Sequence, residues 1–410
     1  MTDKAAYHNA HHNDVAHKDV AVAALNSEFV RLKDMSDDQL AAWQQFDDSH
    51  DSENIFYRSW YLLPSLEQFD PDGDVELFLC WGKGHDKKCD KQQGKQQLIG
   101  IMPVHMEGRY GRWPLPHISN WMHPNLFLGN PNIIPGYEQV FWEQLLRALD
   151  KKYDTGPFLH LYGQAKTLPS AVALHNVTRK TRRFNDVVQT TVRAMLETDL
   201  RGDEYYRQTV RSKKRKELRR LRNRLNDEGV VDVVRGCGDG GAEQWIENFL
   251  KLEQSGWKGE AGSALGSHHT TRTFFTKVMM AAHQRGLADF SSMTLDGRPI
   301  AMLATLINGD YGYSFKTCFD EDYARFSPGV LLQIELMDLR EQHGLKLIDS
   351  CASQNHPMID SLWGQRRDVV RRSVSLNGIF GYGITVILRM AERSLDAIRA
   401  RLRADKGEGA

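Results

Sequence analysis

The stretch from Tyr311 to Ala352 constrains the fold most. It opens with Tyr311-Gly-Tyr-Ser-Phe-Lys316, an alternating, aromatic-rich run that reads as a strand. A polar loop with Asp320, Glu321 and Asp322 follows. Ser327-Pro328-Gly329 then predicts a helix start, with serine as the cap and proline at the first helical position. Val330, Leu331, Ile334, Met337 and Leu339 mostly follow helical spacing, and Leu332 and Leu336 widen the stripe. Gly344 is placed to end that helix. Leu345 to Ile348 reads as a short buried strand closing on Asp349-Ser350-Cys351. Such a helix start offers backbone N–H groups and the positive end of a dipole, so it can hold a phosphate. The same pattern also describes an ordinary capped crossover helix. Neither a G-x-G-x-x-G nor a G-x-x-x-x-G-K-[ST] pattern occurs here, so a dinucleotide fingerprint or P-loop is not supported.

The 410 residues suffice for two medium domains with a substantial core. Lys+Arg and Asp+Glu both number 53, so net charge points to no partner. The five cysteines are scattered and form no C-x-x-C pair, which argues against a zinc knuckle or disulfide framework and fits a reducing cytoplasm. No metal site is expected. The N-terminus lacks the apolar segment of a signal peptide. No apolar run reaches the roughly 18 residues a transmembrane helix requires.

In chain order, residues 1–24 read as a disordered His-, Asn- and Asp-rich tail in which His8, His11, His12 and His17 could bind a metal only adventitiously. Phe29 to Leu32 is a strand, and Ser36 caps the helix after it. Tyr57 to Phe69 is a helix interrupted by Pro64. Two strands, Val75 to Trp81 and Leu98 to Val104, flank an exposed loop holding His85, Asp86, Cys89 and Asp90. Residues 109–135, rich in Pro, Gly, Trp and His, are either a packed connection or the lining of a site. Tyr205 to Asn226 reads as one helix with a dense basic face that can engage phosphates or stand solvated. Gly256-Trp257-Lys258-Gly259 suggests a tight loop presenting Trp257 and Lys258 to a cleft. Asp296-Gly297 between two strands signals a hairpin. Ile384 to Leu402 is a basic amphipathic helix, suited to docking on its own domain or to lying on a membrane surface.

In combination, Ser212-KKRKELRRLRNRL-Asn226, Leu252-EQSGWK-Gly259, Leu295-DGRPIAMLAT-Leu306, Lys316-TCFDEDYARFSPGVL-Leu332, Asp349-SC-Ala352 and Phe56-YRSWYLLPS-Leu66 resemble the GNAT acyltransferase superfamily. More closely, they resemble the cellulose-biosynthesis-associated acetyltransferases of the CelD/BcsL type, relatives of the Fem aminoacyl transferases. The resemblance runs over most of residues 28 to 376. It implies an α/β fold of two GNAT-like mixed-sheet halves with a C-terminal helix. The divisions expected are a 1–24 tail, a 25–186 N-terminal domain, a 187–376 acyltransferase domain and a 377–410 helix.

The resemblance further implies transfer of an acyl group from acyl-CoA, usually acetyl-CoA, to an amine or hydroxyl. A saccharide or envelope precursor would be the acceptor. Pantetheine would lie between strands near Leu303 to Leu306 and Tyr313 to Lys316. The pyrophosphate would lie on Arg325, Ser327, Pro328, Gly329 and Val330, although Arg325-Phe-Ser-Pro-Gly329 departs from the usual Q/R-x-x-G-x-G/A pattern. Such chemistry needs donors for an oxyanion and a base for the nucleophile. Lys316 and Asp349 are the catalytic candidates, and Trp257, Lys258, Tyr313 and Asp320 are candidates for substrate contact. Cys351 reads as a buried structural thiol or a nucleophile. Two other functions fit the same resemblance: an aminoacyl-tRNA-dependent Fem-like transferase, and a non-catalytic accessory protein of exopolysaccharide synthesis. The balanced charge argues against nucleic acid. The C-terminal helix is the candidate for peripheral membrane contact.

Overall fold

Short apolar strands punctuated by turn residues assemble into one continuous sheet in the computed structural model, which describes residues 25–83, 96–153 and 156–407. The tail and the loop holding His85, Asp86, Cys89 and Asp90 lie outside the described residues. The first half runs β1 (Asn26–Arg31), α1 (Asp37–Ser49), α2 (Ser59–Phe69), β2 (Glu76–Lys83), β3 (Gln96–Glu107), β4 (His117–Asn120), β5 (Asn132–Ile133), α3 (Glu138–Lys152), β6 (Phe158–Ala165), α4 (Pro169–Lys180) and β7 (Asn185–Glu197). The second runs α5 (Gly202–Thr209), α6 (Ser212–Asn226), β8 (Val231–Arg235), α7 (Gly241–Gln254), α8 (Trp257–Glu260), α9 (His269–Gln284), β9 (Ala288–Leu295), β10 (Arg298–Asn308), β11 (Tyr311–Phe319), α10 (Pro328–Gln342), β12 (Leu347–Asp349) and β13 (Gln365–Ser375). A long helix, α11 (Gly378–Gly407), follows.

The strand order is β1-β2-β3-β4-β6-β13-β7-β12-β11-β10-β9-β8, with β5 against β3. Among the described residues only β4/β6 and β11/β12 pair in parallel. Each half is therefore an antiparallel run of four strands joined through a helix to a parallel fifth. The last strands are exchanged: β7 of the first half pairs with β12 of the second, and β13 pairs with β6. This is the α/β architecture of two GNAT-like halves that the resemblance implies.

Local signals account for most of the elements. Ser36 and Gln39 form a reciprocal capping box at α1. Asp296 and Gly297 both have positive φ, 49° and 80°, as a two-residue hairpin turn with right-handed strand twist requires. The helix expected over 205–226 is instead two. Val210, buried and extended, ends α5, and α6 restarts at Ser212. Burying Val210 gives the break a hydrophobic gain that the charged run alone could not supply.

The halves meet through aromatic rings. Tyr61 of α2 is fully buried, with its ring centre 5.1 Å from Phe56, 5.6 Å from Phe274 and 6.0 Å from Phe315. Phe56 in turn lies 5.3 Å from Tyr313. Offset and edge-on rings at these separations add to the area term. Tyr61→Ala is expected to cost about 3–5 kcal/mol, read as a fall in the urea midpoint. A loss below 1 kcal/mol, on the scale of a surface substitution, would show that the halves do not depend on this seam.

Candidate active site

Pairing of β11 with β12 covers only Tyr311–Tyr313 against Leu347–Asp349. Beyond it the strands part, for two local reasons. On β11 the register with β10 slips, leaving Phe315 with no residue opposite. Such a bulge bends a strand and re-aims its side chains. On β12 the Ser350 N–H donates to the Ala194 carbonyl on β7, and Cys351 adopts a left-handed φ of 52°. The chain thus turns away from β11, and a wedge opens beside Ser314 to Thr317.

The bulge is braced from both flanks. From α10, the buried Gln333 Nε2 donates to Ser314 Oγ at 3.0 Å and Thr317 Oγ1 at 2.9 Å. From α8, Lys258 Nζ donates to Glu253 Oε1 at 2.8 Å and to the Thr317 carbonyl at 3.3 Å. Glu253 is buried and its other oxygen accepts from the Leu265 N–H at 2.8 Å.

Lys316 stands at the bulge. Its ammonium lies 5.4 Å from the centre of the Phe127 ring and 5.5 Å from that of Phe315. Among the described residues it has neither a hydrogen-bond partner nor a carboxylate in salt-bridge contact. Burial, reinforced by the Lys258 cation, lowers its pKa from 10.5 to about 8. His123 neighbours it electrostatically: burial, and then Lys316, bring the imidazole down to about 3, and its Nε2 has no partner. Sequence reasoning marked the 109–135 loop but not His123 itself.

The ring of Phe127 also walls a cleft of about 410 Å³ between the halves. Its charged lining comprises His105, Glu107, Arg193 and Arg371, with Tyr162 as an aromatic wall. Burial opposes ionisation of Glu107, but hydrogen bonds from His105 and Ser119 bring its carboxyl down to about 2. Arg371 stacks 5.4 Å from the centre of the Tyr162 ring, and the buried Arg193 Nε has no partner. Asn120, Leu126 and Phe127 bring the 109–135 loop into this cleft as lining.

Several candidates take other places. Asp349 is fully buried; Oδ2 accepts from Arg193 at 2.7 Å and Arg367 at 2.8 Å, and Oδ1 from the Cys351 N–H at 2.9 Å. Both oxygens are thus engaged by donors of the protein itself, so the fold uses Asp349 as an anchor rather than presenting it as a base to the wedge. Cys351 is buried, and burial pushes its thiol well above the ordinary range, which leaves it no nucleophile. Tyr313 is buried with an unpartnered hydroxyl, out of reach of a substrate. Asp320 is a loop cap, accepting from the Asp322 N–H and from Arg298 at 2.6 Å. Lys258 is committed to Glu253, and Trp257 is exposed beside it.

The helix start also differs from expectation. Pro328 does open α10, but Ser327 has φ 54° and makes no side-chain cap. The Val330 and Leu331 N–H groups bond back to the Ser327 carbonyl at 3.0 and 3.1 Å. Gly329 is covered: a Cβ there would meet Met358 Cε at 3.1 Å and Phe319 Cδ1 at 3.2 Å. Arg325 is exposed and paired with Glu228 at 3.0 Å. Of the N–H groups at this helix start, those of Val330 and Leu331 are therefore engaged within the turn itself.

Residues 212–356 match the acetyltransferase (GNAT) domain family. The chain thus carries a GNAT-type acyltransferase domain, and the wedge, Lys316 and the bulge all fall within it. A comparison with curated protein sequences gave no match. Among solved structures, FemX has 11% identity and a TM-score of 0.53, over 86% of this chain and 98% of that one. A protein of unknown function from Bacteroides thetaiotaomicron has 12% identity and a TM-score of 0.49, over 85% and 98%. A tandem GNAT protein from the clavulanic acid biosynthesis pathway has 13% identity and a TM-score of 0.41, over 86% and 99%. At these identities the likeness to FemX speaks for the fold alone.

Asp349→Ala leaves the buried Arg193 without a carboxylate and Arg367 with Glu53 alone, and is expected to destabilise the fold by about 3–5 kcal/mol; a full-strength melting transition with lost turnover would instead restore it as a base. Lys316 binds fewer protons folded than unfolded between about pH 8 and 10.5. Stability should therefore rise with pH through that window, with the whole cost present below it. Lys316→Met should exceed the wild type in urea midpoint below pH 8, and the gap should close toward 10.5. A gap independent of pH would contradict the lowered pKa.

Proposed function

We propose that this chain moves an acetyl or other acyl group from acyl-CoA to an amine or hydroxyl of a saccharide or envelope precursor, as in polysaccharide biosynthesis. Lys316 carries this reading: it is a partly buried, unpaired amine with a pKa of about 8, between the bulge and the cleft. A lysine tuned toward neutrality can accept a proton near physiological pH. In this scheme the acyl thioester lies in the wedge along β11 and the acceptor in the cleft beyond Phe127. Neutral Lys316 takes the proton as the acceptor nitrogen or oxygen bonds to the carbonyl carbon. The carbon–sulfur bond then breaks, and the thiolate leaves as CoA with that proton. Acetyl-CoA is the donor we favour, and the cytoplasm, which supplies it, is where we place the reaction.

A second reading has its own observation. At the start of α10 two N–H groups are engaged and Gly329 is covered, whereas α6 exposes Lys213, Lys216, Arg219, Arg220 and Arg224, with no acid in salt-bridge contact among the described residues. A polyanionic donor such as an aminoacyl-tRNA would suit that face.

Calorimetry with acetyl-CoA and with tRNA separates the two. Acetyl-CoA binding, with turnover on a panel of amino sugars that falls at least about 10²-fold in Lys316→Met, supports the first. The wild-type rate should rise with pH to a plateau above about 8. Absence of acetyl-CoA binding, together with tRNA affinity that falls steeply with salt, would replace it with the second.

A further inference from the structure

The long helix α11 has two unlike faces. Its inner face is narrow. Leu388 packs with Tyr110 and Phe158, Thr385 is buried, and Gly381 lies so near the Pro157 carbonyl that a Cβ would stand 2.6 Å from it. Arg389 and Arg393 hold the two oxygens of Asp186 at 2.8 and 2.7 Å. These contacts fix the helix and leave its opposite side uncovered.

That outer side is apolar. Among the described residues thirteen large hydrophobic side chains are exposed, and six of them belong to this one helix. Phe380, Ile387 and Ile398 recur at spacings that return to the same helical azimuth, and Ile379 and Met390 lie alongside them. Their exposures run from 52% for Ile398 to 93% for Ile379. The positions between them on this side, Gly383, Ala391, Ser394 and Ala397, are small and uncharged. A continuous apolar stripe of this kind marks an interaction surface rather than scattered surface residues.

The charge of the helix selects what covers it. Arg389 and Arg393 are taken up on the inner face by Asp186 and Glu392. The rest of residues 378–407 holds Arg399, Arg401, Arg403 and Lys406 against Asp396 and Asp405. That basic excess, toward the end of the helix, disfavours a second copy of the same helix and favours an anionic surface. No helix among the described residues is long and apolar enough to cross a membrane. A basic helix with one apolar stripe lies in the interface plane instead.

We infer that the outer face of α11 docks on an anionic membrane surface, with Ile379, Phe380, Ile387, Met390 and Ile398 entering the headgroup boundary. This holds whichever donor the GNAT domain uses. It would keep the acyltransferase at the membrane while the inner face of α11 fixes its orientation.

The test is flotation of the full chain with vesicles of phosphatidylglycerol and phosphatidylcholine, and with phosphatidylcholine alone. The wild type should float with the mixed vesicles and not with the neutral ones, and added salt should release it. Phe380→Ser/Ile387→Ser/Met390→Ser should weaken binding at least about tenfold, with circular dichroism confirming the fold. Arg399→Gln/Arg401→Gln/Arg403→Gln keeps the stripe and should weaken binding too, which guards against a folding defect in the first variant. Wild-type protein that leaves the mixed vesicles unbound overturns the proposal. So does a solution dimer that the serine variant dissociates, since a second copy would then be the occupant. Equal flotation with neutral vesicles overturns the anionic surface.

Discussion

One buried carboxylate joins the parts on which everything else rests. Asp349 ends β12, Arg193 belongs to β7 and Arg367 to β13, so its two ion pairs span three strands at the point where the halves exchange their last strands. Arg367 reaches on to Glu53 and Arg193 to the Phe127 carbonyl, which draws in the segment before α2 and the wall of the cleft. Two guanidiniums facing two carboxylates leave no net charge to bury. Removing water from four ions is costly, and the arrangement repays it only with geometry this complete. The reward is specificity: a register slip in β7 or β13 would move its arginine to the wrong face of the sheet and strand a charge.

The same junction explains why the two halves are not equivalent. In both, a parallel pair of strands separates beyond a few residues. In the first half Asn120 closes the gap, accepting from the Tyr162 N–H at 2.7 Å and donating to its carbonyl at 3.1 Å, as a further strand residue would. In the second half no side chain among the described residues plays that part. The bulge at Phe315 and the turn at Cys351 drive the strands apart, and the braces from Gln333 and Lys258 keep them so. One amide therefore separates a sealed half, whose outer surface helps line the cleft, from an open one in which an amine stands at the edge.

Much of the architecture was legible because it is written locally. The strand–loop–helix–strand unit around Pro328, the Ser36 cap and the Asp296-Gly297 hairpin each depend on neighbours in sequence. The site was less so. Lys316 could be named from its place on a strand, but the wall it faces, Phe127, is far away in the chain. Asp349 looked like a base because a carboxylate at a strand end resembles one; only the arrival of Arg193 and Arg367 from two other strands shows what it does. The break at Val210 escaped because a helical stripe continues across it, and burial decided against the periodicity.

Ser327-Pro328-Gly329 shows how a true local reading can mislead about chemistry. Proline does open the helix, but the left-handed turn at Ser327 points its carbonyl inward, where two N–H groups close on it. The segment after β12 then brings Met358 onto Gly329, so the missing Cβ makes room for a side chain of the protein itself rather than for a ligand. Absence of a side chain signals only that something approaches closely. At the wedge the logic runs the other way. Lys258 is paired with the buried Glu253, and burial first, with the neighbouring Lys258 added, lowers the pKa of Lys316 to about 8. A pair of lysines with one committed carboxylate gives one brace and one titratable amine. Neither role follows from residue type; both follow from which of the two amines reaches the acid.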